Sequence, residues 1–364
     1  MRLVFLSYHY SPDIRSPEEW FERIGFYTGW AEMLSEKHTV FRVDQIDYEG
    51  HLKHHGIQYH FVRDGDKTRY FPRSLNRFVK TLNPDVVVIS SFLYPLQLIQ
   101  LRKCLGKSVR ILVQNHAEKP FSGIKKWIQN RASRKADVFL FTNLVTGLEW
   151  VWQGNIHSSK KIKELPEVSS AFYPMDKMIS GKKTGLTGFP IFLWVGRLNQ
   201  NKDPVTAVSA FLKFSSFQPD ARLYMIYQSD ELLPALKNRV EASDFKSNII
   251  FIGHQPHHQL LYWYNSADFY LSASHHEGSG TALCEAMSCG CIPVVSNIPS
   301  FRMIGGYAGQ FFEPGNEEDL LATLREAMQL DREEKRTQAI DRFKKELSFE
   351  SISNKFQEIA GSLY

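Results

Sequence analysis

The sequence predicts an α/β fold made of two doubly wound parallel sheets, and three observations carry the prediction. Residues 1–175 and 189–345 each alternate short apolar runs with longer amphipathic stretches, the pattern of repeated strand–helix–strand units. Between them, MDKMISGKKTGLTGFP holds four glycine or proline residues and three lysines with little periodicity, so a linker is expected over 176–188. The length, 364 residues, suits two domains of ordinary size.

In the first half, runs at 3–7, 39–44, 59–62, 86–90, 110–114 and 138–142 predict strands, and stretches at 17–36, 74–82, 94–105 and 121–135 predict the helices between them. The second half repeats the alternation, with strands expected at 191–195, 222–227, 249–252, 269–272, 292–295 and 309–312. In open sheets of this kind the ligand sits beyond the carboxyl ends of the strands, so two facing domains define a cleft.

An apolar content of 43% and a charged content of 23% fit a soluble globular protein with a full core. The opening MRLVFLSYHYSP reads as a short strand rather than a signal peptide or a spanning helix, and no run of about 18 apolar residues follows it. The four cysteines are few for the length, which points to a reduced, cytoplasmic protein. Three of them crowd together as Cys284, Cys289 and Cys291, but their spacing is not a zinc pattern, and no metal is expected.

Charge is unevenly spread. Residues 1–180 carry 26 Lys and Arg against 18 Asp and Glu, a balance of +8, whereas residues 181–364 stand at −3. A dense portion, KPFSGIKKWIQNRASRKAD, interleaves Lys125, Lys126, Arg131, Arg134 and Lys135 with Phe121, Ile124, Trp127 and Ile128 at roughly helical spacing. Two readings stand for it: a peripheral contact with the anionic inner face of a membrane, or a packed helix with a solvated basic face. Nothing resembles a nucleic-acid-binding module, and no nucleic-acid partner is expected.

The most informative stretch is EGSGTALCEAMSCGCIP at 277–293, directly after the apolar run at 269–271. It reads as a strand, a glycine-spaced turn (Gly278, Ser279, Gly280) and a short helix from Thr281. Missing side chains at 278 and 280 let a ligand approach the backbone, and the free N–H groups of the helix start favour a phosphate. Glu285, one turn along, suits the vicinal hydroxyls of a ribose. A nicotinamide dinucleotide is not expected, because Leu283 stands where a third glycine belongs and the first strand runs into SYHYSP without a glycine.

These residues resemble the retaining glycosyltransferases of family 4, in which two glutamates separated by seven residues stand in a context close to E-G-x-G-x-x-x-x-E-A-M-x-C-G-x-P-V-V; here they are Glu277 and Glu285, followed by AMSCGCIPVVS. A second block, FLWVGRLNQNKDP at 192–204, is similar to the family's V-G-R-L strand and loop with a following lysine, giving Gly196, Arg197 and Lys202. The resemblance implies the GT-B architecture: an acceptor-side domain over 1–175, a donor domain over 189–345, and a final helix within 346–364 that crosses back to the first domain. It implies a nucleotide-sugar substrate, UDP- or GDP-linked, with no further cofactor, and a saccharide or lipid-linked acceptor.

The chemistry then follows from the residue types. Breaking the bond between the anomeric carbon and the β-phosphate builds negative charge on the diphosphate, and stabilising that charge is the protein's main task. Arg197 offers a planar fork of donors and Lys202 a mobile point charge; with backbone N–H groups around Gly280, Thr281 and Ala282 they suffice without a divalent metal. The resemblance gives Glu277 to the donor sugar, Glu285 to the ribose, and His254 and Gln255 to the nucleobase. It also marks His116, after the strand RILVQN, as a functional histidine near the donor sugar. A covalent intermediate and a same-face substitution both fit these residues.

Other histidines, among them His257 and His275, sit on loops without a clear carboxylate set. Three departures from the family pattern concern the ligand-facing loops. SPDIRSPEEW lacks the paired glycines of the first loop, Tyr227, Gln228 and Ser229 replace a glycine pair, and Pro166, Glu167, Val168, Ser169 and Ser170 stand for P-N-G-V-D. A nucleotide-sugar-binding protein without transfer activity, and a phosphorylase or sugar-phosphate synthase of the same fold, remain the alternatives.

Overall fold

The computed structural model describes residues 1–63, 70–116 and 118–364. It divides into two compact units, one of Met1–Glu167 with Phe349–Tyr364, the other of Val168–Ser348.

The first unit holds an eight-stranded sheet in the order β3-β4-β2-β1-β5-β6-β7-β8. Its strands are β1 Arg2–Ser11, β2 Thr39–Ile46, β3 Gly50–His54, β4 Ile57–Val62, β5 Val86–Ser90, β6 Arg110–Gln114, β7 Val138–Phe141 and β8 Ile162–Glu164. All pairs are parallel except β3–β4. That hairpin turns through His55 and Gly56, both at positive φ (45° and 84°), the backbone of a two-residue turn that suits strand twist. Sequence reading missed β3, whose His and Lys residues carry no strand signal, and the three-residue edge strand β8.

Successive side chains of a strand point to opposite faces, and both faces are buried. Val4, Leu6, Val87, Ile89, Ile111 and Val113 pack with Val79, Leu98, Ala132 and Trp150 of the helices Arg73–Thr81, Pro95–Leu105, Gly123–Ser133 and Leu144–Trp152. Their neighbours Leu3, Phe5, Val86, Val88 and Leu112 pack on the other face with Trp20 and Trp30 of Pro17–Ser35. The final helix, Phe349–Gly361, completes this layer. Its Phe356 ring lies 5.3 Å from that of Trp30 and 6.2 Å from that of Phe5.

The second unit has a six-stranded sheet ordered β11-β10-β9-β12-β13-β14, parallel throughout. Its strands are β9 Ile191–Gly196, β10 Arg222–Tyr227, β11 Ile249–Gly253, β12 Phe269–Ser272, β13 Ile292–Ser296 and β14 Gln310–Phe312. Phe192, Leu223, Met225, Phe269, Leu271 and Val294 form its core with Phe211 and Phe214 of the helix Pro204–Ser215.

Where a linker was expected over 176–188, the structure has the helix Lys177–Thr184 within the second unit. Asp176 caps it, accepting from Met178 N at 2.8 Å, and Gly185 ends it in the left-handed region. Thr184 Oγ1 then meets Ser266 Oγ at 3.0 Å. The capping signals outweigh the weak periodicity of this segment, and the division between the units lies instead at Glu167/Val168.

Candidate functional site

The site in the second unit is assembled by two loops at the carboxyl ends of β9 and β12. After β9 the chain passes Arg197, whose exposed guanidinium bonds to no described residue, and enters a tight turn capped by Asn199, whose Oδ1 accepts from Lys202 N at 3.0 Å. Asp203 follows at φ 42° and caps Pro204–Ser215, accepting from Thr206 N at 3.1 Å. Three bonds tie this turn to the loop after β12: His275 N to Asn201 O at 2.8 Å, Asn201 Nδ2 to His276 O at 3.0 Å, and His275 Nε2 with Asp203 Oδ2 at 3.1 Å. The result is a short ion pair between Lys202 Nζ and Glu277 Oε1. Ser274 Oγ donates to the same oxygen at 2.6 Å.

Beyond Glu277 come Gly278 and Ser279, both half-buried, and Gly280 at φ 64°. A Cβ on Gly280 would lie 2.5 Å from Ile304 Cδ1, so any other residue would push that side chain aside and strain the backbone as well. Gly280 precedes the helix Thr281–Cys289, whose first turn no side chain caps. Its N–H groups at Thr281 and Ala282 therefore keep the positive end of the helix available to an anion. Ser279 Oγ stands 3.5 Å from Thr281 Oγ1 at the same turn.

Glu285 is buried in this helix with both carboxylate oxygens engaged. Oε1 meets His257 Nε2 at 2.6 Å, and Oε2 accepts from Tyr264 OH at 3.0 Å. The hydrogen bond to Glu285 raises the His257 imidazole above its ordinary value against the opposing effect of burial. Burial, reinforced by Glu285, holds the Tyr264 phenol far above its own. The His257 ring also stacks on Phe172, with centroids 5.1 Å apart.

Loop histidines therefore do have carboxylate partners, contrary to the sequence reading: His257 has Glu285 and His275 has Asp203. The expected nucleobase residues His254 and Gln255 lie just past β11, exposed and half-buried, and no hydrogen bond joins either side chain to Glu285. His257, three positions later, is the residue that reaches it. Burial pushes the Cys284 and Cys289 thiols up to about 12, so they stay protonated, and all four cysteines are free. Among the described residues no three His, Cys, Asp or Glu side chains gather as a metal ion would need.

His116 belongs to the first unit and lies after β6. Its Nδ1 makes a short ion pair with Glu167, and Glu118 accepts from the His116 backbone N–H at 2.5 Å. Burial lowers the imidazole's proton affinity, but the charge and hydrogen bond of Glu167, with Glu118 behind them, outweigh it and raise the net value. Glu167 is one of the departures from the family pattern, and sequence reading gave it no role. It fills the place of a neutral residue with the partner of His116. Both residues line a cavity of about 360 Å³ with Trp20, Arg42, Asp44 and Gln114. There Asp44 Oδ2 accepts from Trp20 Nε1 at 2.9 Å and from Arg42 Nε at 2.7 Å.

Residues 177–346 match the family profile described as "Glycosyl transferases group 1". This segment is a group 1 glycosyl transferase domain. The group 1 domain contains Lys202, Glu277, Gly280 and Glu285. Over 119 residues the chain is 29% identical to GDP-mannose:cellobiosyl-diphosphopolyprenol alpha-mannosyltransferase of Xanthomonas campestris, covering 32% of this chain and 31% of that protein. Over 92 residues it is 33% identical to O-antigen chain mannosyltransferase B of Escherichia coli, covering 25% and 24%. The chain thus spans about a third or less of the length of these relatives. In fold, it resembles Anabaena HepE, solved in complex with UDP, at a TM-score of 0.73 and 13% identity over the whole of both chains. Two parallel-sheet, Rossmann-like units with this likeness constitute the GT-B fold.

Proposed function

We propose that the protein transfers a hexose from a UDP- or GDP-sugar to a hydroxyl of a saccharide or lipid-linked glycan in polysaccharide biosynthesis, with retention of configuration and without a divalent metal. The observation that carries this reading is the meeting of Lys202 and Glu277 beside the uncapped start of Thr281–Cys289. A diphosphate at that turn receives the N–H groups of Thr281 and Ala282, the fork of Arg197 and one of the three donors of Lys202. Together these stabilise the leaving group as it gains charge. Glu277, next to that turn, faces the sugar hydroxyls and the positive charge that develops on the ring.

Glu285 with His257 takes the ribose hydroxyls, and Phe172, stacked on His257, offers a flat apolar surface near the base. In the first unit the cavity with His116, Glu167, Arg42 and Asp44 receives the acceptor sugar. Its size, and a mostly apolar wall with a few placed polar groups, are those of a small-molecule site. His116, protonated more readily than a free histidine, supplies a donor there. Two mannosyltransferases among the relatives favour a GDP-linked mannose, and the UDP bound to the Anabaena protein favours a uridine donor.

Thermal stability of the purified protein against UDP, GDP, ADP and CMP, each with and without its sugar and with a chelator present, tests the donor reading. Stabilisation by UDP or GDP that survives the chelator is expected. No response to any nucleotide would sink it. A second reading, binding without transfer, draws on the engagement of both Glu285 oxygens and of Glu277 Oε1 by protein groups. Donor hydrolysis or transfer above a Glu277→Ala control would reject that alternative.

A further inference from the structure

The helix Gly123–Ser133 is packed inside out. Its buried side carries Gln129, Ala132 and Ser133, all wholly inaccessible. Gln129 is hydrogen-bonded at both ends of its amide there: Oε1 accepts from Phe121 N at 3.0 Å and from Asn155 Nδ2 at 2.7 Å, and Nε2 donates to Phe92 O at 3.0 Å. The outward side carries Ile124 at 81% exposure and Trp127 at 63%. An amphipathic helix at the surface of a soluble domain ordinarily shows the reverse. Trp152, 76% exposed, ends the next helix, and Asn130 Nδ2 joins the two by donating to Gly154 O at 2.9 Å.

Around the helix Gly123–Ser133 the charge has one sign, while the helix of Trp152 carries one exposed carboxylate, Glu149. From Lys119 to Ala136 the sequence contains Lys119, Lys125, Lys126, Arg131, Arg134 and Lys135 and no acidic residue. Two of these cations lie over the rings beside them, Arg131 at 5.7 Å from the Trp127 centroid and Lys125 at 5.6 Å from that of Phe121. The helix thus sets Ile124 and Trp127 among positive charges on its exposed side.

We propose that this face binds the surface of an anionic lipid bilayer, with Ile124, Trp127 and Trp152 entering the boundary between headgroups and acyl chains and the lysines and arginines meeting lipid phosphates. A bilayer surface supplies the apolar layer and the negative plane together, which is what this combination needs. The contact is peripheral, since no helix among the described residues is long and apolar enough to cross a membrane. This inference does not rest on the donor-site reading and stands or falls separately from it.

The test is co-sedimentation of the full chain with vesicles of phosphatidylcholine alone and of phosphatidylcholine with 30 to 40% phosphatidylglycerol, at low and high salt. Binding to the anionic vesicles only, weakened by salt, is expected of the unaltered protein. Ile124→Ser with Trp127→Ser should abolish it. Lys125→Ala with Lys126→Ala should weaken it about thirtyfold, on the usual contribution of a cation near an anionic surface. Equal partition into both vesicle types, no binding to either, or binding indifferent to these substitutions overturns the proposal. So does a concentration-dependent dimer in analytical ultracentrifugation that Trp127→Ser dissociates, since a second copy would then cover the face. Because the vesicle and salt comparisons use the unaltered chain, a variant that fails to fold leaves the test decisive.

Discussion

Lys202 and Glu277, 75 residues apart in sequence, form an ion pair that joins the turn after β9 to the loop after β12. The two residues come from different motifs, and the backbone bonds at Asn201 and His275 hold their loops in one place. Lys202→Met should therefore separate catalysis from folding. With Ser274 still donating to Glu277, the loss in stability should be about 1 kcal/mol, as for a partly exposed pair. The loss of a preorganised cation at the diphosphate should lower the transfer rate about 10²- to 10³-fold. Urea unfolding beside steady-state kinetics reads both. A normal rate with reduced stability would make Lys202 a structural pin alone.

Glu285→Ala carries a different signature. Glu285 is buried and accepts from Tyr264 OH, which has no access to solvent, so removing it strands a phenol in the core. A loss of about 1–3 kcal/mol in stability is expected from that stranded group. Nucleotide affinity should fall at the same time. Glu285→Gln, able to accept from Tyr264, should recover most of the stability and little of the affinity if the ribose needs a carboxylate. Calorimetric titration of both variants with UDP and GDP separates these effects.

The alternation of apolar runs and helical stretches made both sheets legible, because a parallel strand buried on two faces leaves an uninterrupted apolar signature. Around the candidate site, the turn at Gly280 and the helix start at Thr281 were legible from short-range spacing, whereas Glu277 and Lys202 stood out only through their resemblance to the family blocks. What stayed hidden was pairing at a distance. Nothing local to His116 announces Glu167, 51 residues on, and nothing in FIGHQPHHQL says that His257 rather than His254 will face Glu285. Those choices are made by the sheet order and by the turn His257–Gln259, which sequence periodicity does not encode. The helix Lys177–Thr184 was missed for a related reason: its Asp176 and Gly185 caps are clear, but Gly181 within it argued for a loop.

The pair of His116 and Glu167 predicts a pH dependence with a definite sign. The folded-state value of His116 lies above the ordinary 6.5, so the pair's contribution to stability is fully present below about pH 6.5 and is lost as pH rises through the folded value. In NMR titration the His116 midpoint should exceed 6.5 in the unaltered protein. Glu167→Gln removes the charge that opposes burial, and the midpoint should then fall. The stability gap between the two proteins should be wide at pH 5.5 and narrow at pH 8.5. A gap that widens with pH would mean that Glu167 serves another group.

Gly280→Ala probes the turn that is proposed to hold the diphosphate. At φ 64° an alanine is disfavoured by about 1–2 kcal/mol, and its Cβ would press on Ile304 Cδ1 at 2.5 Å. The single variant should lose stability on both counts. Combining it with Ile304→Ala relieves the collision but not the backbone strain, so the double variant should be less destabilised than the two single losses combined. Nucleotide affinity discriminates further. If the N–H groups of Thr281 and Ala282 hold the phosphate, displacing the turn should weaken binding at least about tenfold, roughly the worth of one well-placed charge-assisted hydrogen bond. The double variant should regain part of that affinity along with the space. Unchanged affinity in a folded Gly280→Ala protein would move the phosphate away from this helix and toward Arg197 and Lys202.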